Sequence, residues 1–108
     1  MAEEQKLQTK ILNDLRSFGK YCECFKIEKV SENGIPDVFF TMRICGPVFV
    51  EVKRTGEEPS NAQWGKIQKL NDCGTKAMWV NSWKGWVDLK LLLGINNREA
   101  VISAHNWK

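Results

Sequence analysis

The run Gly46-Pro47-Val48-Phe49-Val50-Glu51-Val52-Lys53-Arg54 leaves little choice of backbone. It is dense in β-branched and aromatic residues, and a Gly-Pro turn opens it, so it reads as a strand. Side chains alternate along a strand, placing Val48, Val50 and Val52 on one face and Phe49, Glu51 and Lys53 on the other. The valine face calls for a hydrophobic core. The opposite face sets a carboxylate beside an ammonium group, and what they do depends on the neighbouring strand.

Residues 35–44, IPDVFFTMRI, supply that neighbour, with Pro36 at the strand opening, where a missing N–H does least damage to a ladder. A hairpin through Gly46-Pro47 brings Asp37 opposite Glu51. Upstream, residues 21–30, YCECFKIEKV, alternate and favour a strand, and residues 31–34, SENG, make a turn. Gly34 allows a backbone conformation before Pro36 that other residues resist. Leu7, Ile11, Leu15 and Phe18 recur at helical spacing over residues 2–18, and Gly19 supplies the stop. Glu4 projects on that apolar stripe, while Glu3 points aside. A carboxylate there has two readings: a favourable interaction with the helix dipole, or delivery of an acid to a site at the edge of the core.

Downstream, Ser60 and Gln63 form the S-x-x-Q capping-box pattern of a second helix. Trp64, Ile67, Gln68 and Asn71 are expected to line one side of it, and Gly74 to end it. Residues 77–83, AMWVNSW, read as a fourth strand, residues 87–93, VDLKLLL, as a short amphipathic helix, and residues 100–108, AVISAHNWK, as a last strand. The order αβββαβ gives an α/β class with a mixed sheet flanked by helices, expected to form one domain over residues 1–108.

Composition narrows the function classes. A net charge of +3 falls short of a histone-like binder. Lysines after residue 53 interleave with Trp64, Trp79, Trp83 and Trp86, a pattern that suits either a phosphate-facing surface or, more commonly for tryptophan, a core. Cys22, Cys24, Cys45 and Cys73 lack a CxxC pair and have only His105 for company, so they read as structural thiols rather than a zinc site. No apolar run nears the roughly 20 residues needed to span a bilayer, and the N-terminus has no signal-peptide core. The expectation is a soluble, intracellular protein.

Two carboxylates converging at neighbouring strand ends repel unless a cation lies between them, and hard oxygen ligands suit Mg2+ or Mn2+. Such a site can hydrolyse a phosphodiester: the metal polarises the phosphate and acidifies a water, and a lysine offsets the growing charge. Alone, Glu51-Val52-Lys53 would as readily be a solvated cross-strand face.

The assembled set is more specific. Gly34-Ile35-Pro36-Asp37, then Glu51-Val52-Lys53, then Gln63 on a following helix and Glu4 on a preceding one, resembles the PD-(D/E)XK nuclease superfamily, and more narrowly its VRR-NUC branch, the virus-type replication and repair nuclease domain. The resemblance covers roughly residues 3 to 83. It implies a restriction-endonuclease-like fold in which Asp37, Glu51 and the backbone carbonyl of Val52 bind Mg2+ or Mn2+, and Glu4 completes the shell directly or through water. It further implies that Lys53 acts on the nucleophilic water and that Gln63 orients Lys53 or the phosphate, in addition to capping its helix. That branch often carries Ser-Pro or Thr-Pro before the glutamine, where this chain has Glu58-Pro59-Ser60-Asn61-Ala62.

A stand-alone domain of this kind is similar to endonucleases that resolve four-way (Holliday) junctions. Those substrates need two symmetric incisions, hence a homodimer joined through Val101, Ile102 and Trp107 or through the second strand. The alternatives are a nuclease for flaps or ends and a catalytically silent DNA-binding module of the same fold. That branch is found alone in phages, and this resemblance together with the lack of export signals implies a cytoplasmic setting, bacterial or in a phage-infected host cell.

Overall fold

The structure, a computed structural model, describes residues 2–28 and 32–106. Helix α1 (Glu3–Arg16) and a 3-10 turn at Gly19–Tyr21 precede three strands, β1 (Glu23–Lys26), β2 (Val38–Met42) and β3 (Gly46–Val52). Helix α2 (Asn61–Asp72) crosses over to β4 (Lys76–Val80), and α3 (Trp83–Leu92) and α4 (Arg98–Asn106) follow. The sheet order is β1-β2-β3-β4, antiparallel except for the parallel β3–β4 pair that the α2 crossover requires. This is the expected mixed sheet flanked by helices, although the hairpin between β2 and β3 turns at Arg43-Ile44-Cys45 rather than at Gly46-Pro47, which already pair with Met42 and Thr41 as strand residues.

The valine face of β3 is fully buried, together with Val38 and Phe40 of β2 and Ile11 and Leu15 of α1. Each such side chain contributes about 1.5–3 kcal/mol of transfer free energy. Trp86 completes this layer with its ring edge-on to Phe40 at 5.8 Å, and its Nε1 donates to Asp14 Oδ2 at 2.8 Å. Lys90 donates to the same oxygen at 2.6 Å, fastening α3 to α1 above the sheet. Alternation sends Phe49 and Glu51 to the other face, where α2 lies.

Several expectations are corrected. The tail is a helix, not a strand: Asn97 Oδ1 accepts from Ala100 N at 2.8 Å to start α4, and Arg98, Glu99, Ala100 and Ala104 outweigh the β-branched Val101-Ile102 pair. Val101 is buried in the chain's own core, and Trp107 lies outside the described residues. Helix α3 begins at Trp83, a turn earlier than expected, because Ser82 Oγ accepts from Gly85 N at 2.9 Å; β4 therefore stops at Val80. On α2 the inward side runs through Gln63, Ile67 and Leu70, and Gln68 is exposed. Asn71 uses its amide to bind both N–H and C=O of Ala77, closing part of the free edge of β4.

The tryptophans divide between the two readings: Trp86 is core, whereas Trp64 and Trp83 are 39% and 37% exposed. Cys45 is buried, Cys22 and Cys24 are half-buried and Cys73 is exposed, all as free thiols. Burial pushes the Cys22 thiol up to about 12, which leaves it unreactive. Among the described residues no helix is long and apolar enough to cross a membrane.

Candidate active site

Asp37 immediately precedes β2, and the register Val38↔Val50 extends to set it across from Glu51 on the same face. Two hydrogen bonds fix it. Its carbonyl accepts from Ile27 N at 2.7 Å, and its Oδ2 accepts from Val52 N at 3.0 Å. In extended backbone the N–H and C=O of one residue point the same way, so the Val52 carbonyl is directed to the Asp37 side of β3. Lys53 N donates to Val80 O at 2.9 Å, so pairing with β4 holds the chain straight one residue beyond the strand.

Glu51 is 3% exposed although it is a carboxylate. Its Oε2 accepts from Gln63 Nε2 at 3.0 Å, while its Oε1 is buried with no hydrogen-bond partner. Burial pushes the Glu51 carboxyl up to about 8; the Asp37 carboxylate adds to the rise, the Lys53 ammonium opposes it, and Glu4 adds a smaller repulsion. Asp37, Lys53 and Glu4 are thus all near enough to act on the charge of Glu51.

Gln63 links the charges. The capping box is formed: Ser60 Oγ accepts from Gln63 N at 3.2 Å, and Gln63 Oε1 accepts from Ser60 N at 2.8 Å. The same Oε1 lies 3.4 Å from Lys53 Nζ, and the amide nitrogen is spent on Glu51. One glutamine thus starts the helix and holds an ammonium and a carboxylate in fixed relation. Its position depends on Gly34, whose φ is +81° and where a Cβ would fall 2.5 Å from the Ala62 carbonyl oxygen. Only glycine lets the segment leading to Asp37 lie against the first turn of α2.

Glu4 is half-buried at the start of α1. Among the described residues no three carboxylate, thiol or imidazole side chains converge tightly enough to cage a metal by themselves. The compact part of the site is Asp37, Glu51 and the Val52 carbonyl, with Glu4 further out. Glu3, set aside on the sequence pattern, has a positioning part: its Oε1 accepts from Thr55 N at 2.8 Å and ties α1 to the loop after β3. Hydrogen bonding by the Thr55 side chain, followed by that backbone bond, lowers the Glu3 carboxyl below its usual range. No local signal foretells a contact across 52 positions.

A buried carboxylate oxygen without a donor lacks either a proton or a cation. The donors around it are hard oxygens, the set that Mg2+ and Mn2+ favour, so the residues present fit such an ion. With Lys53 alongside, the arrangement can bind a phosphate and stabilise negative charge that develops on it.

No family model and no curated protein matches the sequence. Solved structures do. One described as a VRR_NUC domain superposes with a TM-score of 0.71 at 19% identity, covering 90% of this chain and 100% of that one. Another, described as a VRR_NUC domain protein, gives 0.62 at 15% identity over 83% of this chain and 86% of that one. The chain has the fold of these VRR_NUC structures.

Proposed function

We propose that this protein is a divalent-metal-dependent endonuclease that hydrolyses phosphodiester bonds in branched DNA, with four-way junctions as its principal substrate. The observation that carries the proposal is the buried Glu51 beside Asp37, its Oε1 unpartnered and its Oε2 joined through Gln63 to Lys53. Asp37, Glu51 and the Val52 carbonyl would hold Mg2+ or Mn2+, with Glu4 completing the shell. Bound there, the ion polarises the scissile phosphate and acidifies water.

The chain's own residues do the rest. Lys53 presents an ammonium donor to the attacking water and to the phosphate oxygens as charge builds on them. Gln63 keeps that ammonium beside Glu51, so the lysine needs no reorganisation during the reaction. Burial of Glu51 lowers the local dielectric and strengthens each of these interactions.

Two symmetric incisions in a junction call for a C2 dimer. Val101 is committed to the core, whereas Phe39 of β2 sits half-buried in a row of rings, 5.1 Å from Phe25 and 5.2 Å from Phe49. This row, continued to Phe25, which is 49% exposed, supports seating the second copy over the β1–β2 part of the sheet. The test is cleavage of labelled junction, flap and duplex DNA with and without Mg2+ or Mn2+. Metal-dependent incision, fastest on the junction, supports the proposal. Cleavage of flaps alone would favour the end-directed enzyme, and binding without cleavage of any substrate would mark a silent module.

A further inference from the structure

Resting on the nuclease reading, we propose that the groove beside Lys53 receives one unpaired nucleotide of the cut strand, so that the site selects DNA whose strand is splayed next to the scissile phosphate. The groove has a volume of about 240 Å3 between the start of α1, the loop after β3 and the start of α3. Lys6, Lys10, Arg54 and Trp83 line it. Its lining residues adjoin the catalytic ones along the chain, Arg54 directly following Lys53 at the end of β3 and Lys6 lying two residues beyond Glu4 in α1.

Its charge suits a phosphodiester backbone. Lys6, Lys10 and Arg54 are three cations, and against them the lining carries a single carboxylate, Glu3, whose Oε1 is already engaged by Thr55 N. Arg54 also pairs with Glu57, an exposed contact that contributes little and gives way readily to a phosphate.

Trp83 points to the base. Trp86, one turn on, is wholly buried and serves the core, but Trp83 is 37% exposed, with Lys10 Nζ over its ring at 4.6 Å from the centroid and Lys90 Nζ at 5.9 Å. An indole and an ammonium in contact at the surface are the two halves of a nucleotide site: a base stacks on the ring and the displaced ammonium turns to the adjacent phosphate. A pocket of this size takes one such unit, whereas a continuous duplex keeps its bases stacked inside and out of reach. A flap offers an unpaired nucleotide outright, and a four-way junction offers one when a pair at its branch point, where stacking is interrupted, is splayed open, which gives selection by shape without base readout.

The experiment measures binding of metal-free protein to a labelled oligothymidylate and to a paired duplex of equal length, by fluorescence anisotropy at low salt. Trp83→Ala is expected to weaken oligothymidylate binding about tenfold, the scale of one lost base stack, and to change duplex binding less than about twofold. Trp83→Phe should retain most of the affinity, and Lys6→Ala with Lys10→Ala should weaken binding and flatten its salt dependence. The proposal is overturned if Trp83→Ala, or Trp83→Leu should the alanine variant not fold, binds oligothymidylate as the wild type does, or if both DNAs lose affinity equally. Cleavage separates the two readings. A wild type that cuts no DNA while the Trp83 effect persists ends the nuclease reading alone, and a Trp83→Ala enzyme that cuts junctions at the wild-type rate and affinity ends the groove assignment alone.

Discussion

Replacing Glu51 by glutamine should stabilise the metal-free protein at high pH while destroying its activity. The folded protein holds the Glu51 carboxyl at about 8, against 4.5 in the free residue. Below pH 4.5 both folded and unfolded chains are protonated there, and the site costs nothing. Between pH 4.5 and 8 the folded protein retains a proton that the unfolded chain has released, so its stability falls steadily as pH rises; above 8 the cost is fully present. At about 1.4 kcal/mol for each pH unit, the gap sets a ceiling of about 5 kcal/mol. Because Asp37 shares the burden, we expect about 2 kcal/mol to be recovered.

Glutamine preserves the shape, can still accept from Gln63, and places an amide donor toward Asp37 where a charge had been. For a chain of this size about 1 kcal/mol moves Tm by roughly 4–8 °C, so thermal melts in EDTA at pH 9 should show Glu51→Gln at least about 8 °C above the wild type. At pH 4 the two should melt together. A variant no more stable than the wild type at pH 9, or equally more stable at both pH values, would refute the claim that a buried, cation-seeking carboxylate sits at this position.

Three other outcomes follow from the same geometry. Calorimetry of Mg2+ binding in two buffers of different ionisation enthalpy should reveal close to one proton released at pH 7 and almost none at pH 9; a pH-independent value would mean that the ion does not displace the Glu51 proton. Lys53→Ala should lower junction cleavage by at least about a hundredfold and leave junction affinity within about twofold, and near-normal turnover would remove Lys53 from the chemistry. Gly34→Ala forces a methyl group against the Ala62 carbonyl and a left-handed backbone on alanine, so it should cost about 2 kcal/mol or more and slow cleavage beyond the effect of stability; wild-type melting and rate would show that the Asp37 segment does not depend on that approach.

Much of this architecture was legible in the chain because its strongest signals are local. The alternation in Val48–Lys53 specifies which face holds Glu51; the hairpin itself was legible, but its turn is Arg43-Ile44-Cys45, just ahead of Gly46-Pro47, and the register from there sends Asp37 across from Glu51. Ser60 and Gln63 announced their helix through a four-residue motif. The site was suggested by the resemblance carried by Gly34–Asp37 and Glu51–Lys53, which local patterns alone left open. What escaped the sequence was tertiary: the Glu3–Thr55 tether, the meeting of Gly34 with Ala62, and the split between buried Trp86 and exposed Trp83. The tail is a helix although it carries the β-branched Val101-Ile102 pair, because Asn97 caps it and Arg98, Glu99, Ala100 and Ala104 favour helix.

Manganese soaked into crystals of the protein, located by its anomalous scattering, tests the shared cation most directly. The account predicts a peak within about 2.0–2.3 Å of an Asp37 carboxylate oxygen, Glu51 Oε1 and the Val52 carbonyl oxygen, lost in Glu51→Gln. Full occupancy of manganese elsewhere, with Asp37 and Glu51 unligated, would contradict it.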